Sequence, residues 1–219
     1  MQDAVINING NSIQTLEMIF LMTAISLLPF FVLMMTCFTR VIIVLSFTRS
    51  AMGVQATPPN AVLIGIALFL TMFIMSPVID EVTEVAYVPY RNDEITQYEA
   101  LQRASVPMKE FMLRQTEDDT LTMFMEYAQI EEVPDNPVDL PLRIVVPSFI
   151  TTELKRALLM GFFIYIPFVL IDIVVSSTLM SMGMIMLPPA MMSLPFKLLL
   201  FITLNGWDLL FSTLIEGFN

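Results

Sequence analysis

Two long stretches of this chain carry no charged residue: Met18 to Thr39 and Ser50 to Ile79. Each is long enough to supply the ~20 apolar residues a helix needs to cross the hydrocarbon core of a bilayer. Four apolar blocks can be drawn, at Met18–Thr48, Ala61–Ile79, Ala157–Leu187 and Phe196–Ile215. Hydrophobic residues make up 56% of the chain and charged residues only 14%, where soluble domains run nearer about a quarter charged. The expected fold is therefore all-α: a multi-span helical membrane protein with long helical hairpins. Pro29 and the Thr57-Pro58-Pro59-Asn60 break limit the regularity of the first two blocks. Met18 to Thr48 would be roughly 46 Å long as one helix, well beyond a core of about 30 Å, and Arg40 interrupts it.

The residues that are absent narrow the function. There are no histidines and one cysteine, which removes Ser-His-Asp chemistry, His-based metal sites, zinc clusters and an intrachain disulfide. Cys37 lies in an apolar run with Arg40 as its nearest cation, the setting of an inert buried thiol. No Gly-rich phosphate loop is present. An enzyme is not expected, nor a cofactor. The start, Met1-Gln2-Asp3, lacks the basic residues of a secretory signal, and polar residues persist to Glu17. Either the first crossing acts as the targeting signal or an earlier signal peptide is missing from this sequence.

Asp80 to Arg143 is a polar insert with 15 acidic and five basic residues, and it holds nearly all of the chain's net charge of −11. That balance argues against nucleic acid or anionic lipid as its partner. One helix is predicted from Asn92-Asp93-Glu94 to about Pro107, and a second from Met108 to Gln129 with Phe111, Met112, Leu121, Phe124, Met125 and Ala128 on its interrupted apolar face. Prolines 134, 137, 141 and 147 predict an extended return. A solvated loop and a small packed subdomain both remain open. The chain divides into 1–79, 80–148 and 149–219. Arg40, Arg49 and Lys197 place their loops in the cytoplasm by the positive-inside tendency, with both termini and the acidic insert outside; Lys155 and Arg156 argue the other way.

Charges inside the later blocks need company. Asp172 sits near the middle of the third block, Asp208 near the middle of the fourth, and Lys197 near the fourth block's start. An ionised residue at a helix centre costs roughly 2.5–3.5 kcal/mol even on a lenient insertion scale. Expected pairs are Asp172 or Asp208 with Lys197, and Glu153 with Lys155 or Arg156. Four blocks are too few for one copy to bury all of these groups, so several copies or companion subunits are implied. Such residues mark either ion or proton pathways or seams between subunits, and both readings stand.

Six of the 19 methionines fall between Met180 and Met192, and four alternate through Met180, Met182, Met184 and Met186 around Gly183, before Pro188-Pro189. A period of two does not supply the three-and-four spacing of helix packing. Thioethers are unbranched and polarizable, so the run is either adaptable core filler or a deformable seal.

The residues FTRVIIVLSFTRSAMG at 38–53, TPPNAVLIGIALFLTMFIMSPV at 57–78, and the ELK, PF-x-x-ID, SMGMIMLPP and LPFK elements between 149 and 210 closely resemble the FliP family of flagellar biosynthesis proteins. That family takes in the equivalent export-gate subunit of virulence-type injectisomes. The resemblance covers nearly the whole chain and is weakest in the acidic insert. It implies an export-gate subunit of a type III secretion system in the bacterial inner membrane, at the centre of the flagellar basal body. Five copies would assemble with FliQ-like and FliR-like companions into a channel for unfolded exported proteins. It implies that Met184, Ile185 and Met186 line a gasket supported by Met180, Met182, Gly183, Pro188 and Pro189. Relatives carry three consecutive methionines there, and this chain has Ile in the middle, which is stiff at χ1. It also implies assembly contacts at Glu153, Lys155 and Lys197, with Asp172 and Asp208 at seams. A proton-coupled transporter of ions or small solutes using the two aspartates is the alternative. A pure assembly scaffold, with no conducting role, is a third reading.

Overall fold

The computed structural model describes residues 5–8, 11–54, 56–130, 134, 136–184 and 186–218. The chain is all-helical apart from a small antiparallel hairpin in its polar leader, β1 (Val5–Ile8) with β2 (Asn11–Gln14), Val5 opposite Gln14. Among the described residues eight helices follow, besides a 3-10 turn at Pro137–Asp139. They are α1 (Thr15–Met34), α2 (Phe38–Ala51), α3 (Asn60–Arg91), α4 (Gln97–Gln115), α5 (Asp118–Tyr127), α6 (Leu142–Ser181), α7 (Pro189–Thr203) and α8 (Gly206–Glu216). By length and apolarity α3 and α6 can each cross a membrane, and α7 with α8 makes a third span if the bent pair is counted as one.

Each departure from the expected blocks has a local cause. The first block divides at Met35-Thr36-Cys37, where the Thr36 hydroxyl donates to the Leu33 carbonyl and accepts from the Phe38 N–H. These bonds divert the backbone from a continuous ladder, so Arg40 lies in the first turn of a new helix, and Cys37 is fully buried. The fourth block divides at Asn205, which sits in the left-handed region (φ 48°) and bends α7 from α8 by 60°. The third block instead grows: α6 has 40 residues, about 60 Å at the ordinary rise, and begins at Leu142 with Pro147 inside it. The extended return predicted from the four prolines is therefore corrected: Pro137–Asp139 form a 3-10 turn, and the helix begins directly after Pro141.

The insert is helical in a different register from the one predicted. Its long helix begins at Thr96, whose side chain accepts from the Glu99 N–H while the Glu99 carboxylate accepts from the Thr96 N–H. This reciprocal cap was legible as Thr-x-x-Glu, and it displaces the start expected at Asn92-Asp93-Glu94. The Thr96 backbone N–H is the main reason the Glu99 carboxyl is held below the usual glutamate range. Pro107 does not end the helix; α4 runs through it to Gln115.

Packing settles the open question of loop against subdomain. Phe111, Met112 and Met125 of the insert share one core with Met75 and Val78 of α3, Leu140, and Ile144, Val145 and Phe149 of α6. Phe111 meets Phe149 edge-on at 5.8 Å between ring centres. A second core joins Val41, Val44 and Leu45 of α2 to Leu63 and Ala67 of α3, Ala157 of α6, and Leu210 and Leu214 of α8. Gly161 permits the α2–α6 contact, since a Cβ there would lie 2.6 Å from the Phe47 ring.

Phe111→Ala is expected to cost roughly 3–5 kcal/mol, because the ring is buried between two elements that cannot both move in to fill the space. Denaturant titration in detergent reads this directly. A cost below about 1 kcal/mol would mean that the insert does not share this core.

Candidate functional site

One buried charged station, one half-buried charged station and one exposed loop stand out along α6. At the first, Glu153 is fully buried, and its partner is Arg40 of α2 rather than the expected Lys155 or Arg156. The pair is bidentate: Arg40 Nε donates to Glu153 Oε2 at 2.9 Å, and Nη2 donates to Oε1. Arg40 Nη1 also donates to the Gly217 carbonyl (2.9 Å), Nη2 to Gln115 Oε1 (3.2 Å), and the guanidinium lies 3.7 Å from the centre of the Phe218 ring. Such a set offsets the desolvation that would otherwise exclude an arginine from the interior.

The neighbouring turn of α6 receives the insert. Thr152 Oγ1 accepts from the Glu117 N–H (3.2 Å), Lys155 Nζ lies 2.6 Å from Glu117 Oε2, and Arg156 Nη1 donates to Gln115 Oε1 (3.1 Å). The Lys155 side chain is 67% exposed, so its ion pair is worth under about 1 kcal/mol. The ELK element thus has partners inside its own chain.

The second station is Asp172 with Lys197, one of the expected pairs. Lys197 Nζ donates to Asp172 Oδ2 at 2.6 Å, and Ser193 Oγ donates to Oδ1 at 2.5 Å. This ties α6 to α7 as the two arms of a hairpin. The PF-x-x-ID and LPFK elements supply its two charged ends, and Ser193, buried one helical turn before Lys197, was not anticipated. A single copy buries Arg40, Glu153 and Lys197, with the insert and the C-terminal return supplying further partners to Arg40, but it leaves Asp172 partly exposed and Lys155 and Asp208 exposed. Asp208 is exposed and sits in the first turn of α8, rather than mid-helix, where a carboxylate favours the positive end of the helix dipole.

The methionine loop is built by its two helix ends. Gly183 adopts φ 76°, its N–H donates to the Met180 carbonyl, and the Met184 N–H reaches back to the Leu179 carbonyl (3.0 Å each). This pair of bonds terminates α6 in a glycine-dependent stop. Pro188 precedes α7 and Pro189 occupies its first position, where the missing N–H costs nothing. Met180, Met182, Met184 and Met186 are exposed, Met186 by 98%. The core-filler reading therefore fails for these four within one copy. Ile185 lies outside the described residues.

Asp172→Asn leaves the Lys197 ammonium without its counter-charge. We expect a stability loss of about 1–3 kcal/mol, below the cost for a fully buried pair because the Asp172 side chain is 37% exposed. Denaturant titration in detergent would read it, and the pair Asp172→Asn, Lys197→Met should recover part of the loss. A double variant no better than the single would show that the ion pair is not what holds the hairpin.

A family model described as the FliP family matches residues 21–214. The chain is 49% identical over 207 residues to the flagellar biosynthetic protein FliP of Pectobacterium carotovorum subsp. carotovorum, covering 94% of this chain and 79% of that one. It is 48% identical over 208 residues to the protein of the same name from Bacillus subtilis (strain 168), covering 95% and 94%. With the protein of that name from Aquifex aeolicus (strain VF5) the identity is 42% over 211 residues, covering 96% and 88%. The matched span runs from within α1 to the last turns of α8 and takes in both charged stations and the methionine loop, and the chain belongs to the FliP family.

Proposed function

We propose that the chain is a subunit of the type III protein-export gate in the bacterial inner membrane, passing unfolded flagellar substrates through a channel made by several copies. The observation that carries this reading is the α6–α7 hairpin, whose tip presents Met180, Met182, Met184 and Met186 to the outside of a single copy. Four exposed thioethers on a loop fixed at both ends gain burial once copies converge on an axis. A ring of such side chains excludes water and ions by dewetting when the pore is empty. It moulds around a polypeptide of varying side chains when the pore is filled, because thioethers adapt to whatever they touch. Gly183, Pro188 and Pro189 hold the ring at a set height, and Met184, Ile185 and Met186 form it.

By family likeness we assign five copies and FliQ-like and FliR-like companion subunits to the assembly. Residues 80–148 form its extracytoplasmic part, between an N-terminal segment at 1–79 and the gate-bearing hairpin at 149–219. The length of α6, about twice the hydrocarbon thickness, suits a bundle that projects beyond the bilayer. The exposed apolar faces of α1 and α3, including Phe20, Phe69 and Phe73, are the surfaces available to lipid or to neighbouring subunits. A transporter using Asp172 for protons gains no support from the geometry, since both carboxylate oxygens of Asp172 already accept bonds from Ser193 and Lys197.

Replacing Met184, Ile185 and Met186 together by Ala should let ions leak across membranes of cells carrying the variant, with assembly unchanged on native gels. Unchanged leakage and unchanged export would remove the gasket role and favour a scaffold.

A further inference from the structure

α8 is fastened at both ends. At its start, Asn205 holds the left-handed turn, and Trp207 packs edge-on against Phe201 at 5.2 Å. A Cβ on Gly206 would lie 2.3 Å from that Phe201 ring, so the bend closes tightly on α7. At its far end, Gly217 and Phe218 turn back into the core, and Phe218 is 5% exposed. Between the two ends, the inner face of α8 covers an apolar cavity of about 450 Å³ lined by Val44, Thr48, Phe168, Phe201, Leu210 and Leu214.

The far attachment is made by buried polar groups. The Gly217 carbonyl accepts from Arg40 Nη1, and the Phe218 carbonyl accepts from Gln115 Nε2 at 3.2 Å. Gln115 Oε1 accepts from Arg40 and Arg156, so this one buried amide joins α2, α4, α6 and the segment after α8. We propose that Gly217–Phe218 is a latch and α8 a strap: the latch couples the bent position of α8 to the seating of the acidic insert through Gln115 and Arg40. Lifting the strap removes one acceptor from each of two buried donors and uncovers the Arg40 face beneath the Phe218 ring. Unpaired buried donors are costly, so the last turn of α4 loosens with the strap. Coupling of this kind is reciprocal. A loosened insert in turn frees α8 to swing about Asn205, where straightening would merge α7 and α8 into one span. The inference rests on intrachain contacts and does not depend on the gate reading.

The test is hydrogen exchange on the full-length protein in detergent micelles. Phe218→Ala keeps both latch carbonyls but removes the ring that seats them in the core, so it should speed exchange at least about tenfold across Gly206–Glu216 and should speed Leu113–Glu117 together with it. Gln115→Glu keeps acceptors for both arginines and removes only the donor to the Phe218 carbonyl. It should speed Gly206–Glu216 while Leu113–Glu117 stays protected, and it covers the case in which Phe218→Ala does not fold. The latch is overturned if Phe218→Ala loosens α8 alone, or if Gln115→Glu leaves α8 exchange unchanged.

Discussion

The bidentate pair between Arg40 and Glu153 is the constraint on which the rest of this fold depends. Both groups are buried, and moving either out of water carries a penalty of several kcal/mol. The sequence separates them by 113 residues, so α2 and α6 must lie side by side before either charge is compensated. Arg40 then has donors left over. These require the Gln115 side chain and the Gly217 carbonyl, which bring the end of α4 and the return after α8 to the same point. A buried pair of this kind adds little net stability over an apolar replacement. Its effect is selective: any arrangement that parts the two leaves a bare charge in the interior.

From that point α6 acts as a ruler. Glu153 and Asp172 are 19 positions apart, about 28 Å along the helix, close to the thickness of a hydrocarbon core. The first station joins α6 to the insert and to α2. The second joins it to α7 and sets the width of the hairpin. About 16 Å further along, the glycine stop at Gly183 releases the methionine loop. Each polar contact therefore fixes the height of something apolar, and the charges of both stations are already paired within one chain. In the proposed gate, copies meet through exposed apolar surface, which tolerates sliding and adjustment better than ion pairs do.

Much of this was legible in the sequence. The uncharged run at Ser50–Ile79 became most of the spanning-length helix α3, and the intramembrane charges gave the Asp172–Lys197 pair because both lie in neighbouring blocks of one hairpin. The partner of Glu153 was not legible. Lys155 and Arg156 are near in sequence, but they point to Glu117 and Gln115 of the insert, and only tertiary packing brings Arg40 across. The helix breaks at Thr36 and Asn205 escaped for a related reason. Thr36 is no strong breaker and acts through its hydroxyl inside an apolar run, whereas Asn205-Gly206 is an Asn-Gly turn signal that the apolar block around it outweighed. Pro107 and Pro147 misled in the opposite direction, since packing on both sides of α4 and α6 holds those helices through a lost backbone bond.

The most direct test of the Arg40–Glu153 constraint is a double-mutant cycle, with Arg40→Met and Glu153→Met made singly and together and unfolding followed in detergent. Each single change should cost about 3–5 kcal/mol, because it strands the opposite charge, and the double variant should cost no more than either alone. Additive losses would show that the two residues act independently, and the pair would then not be what draws α2, α6 and the insert to one point.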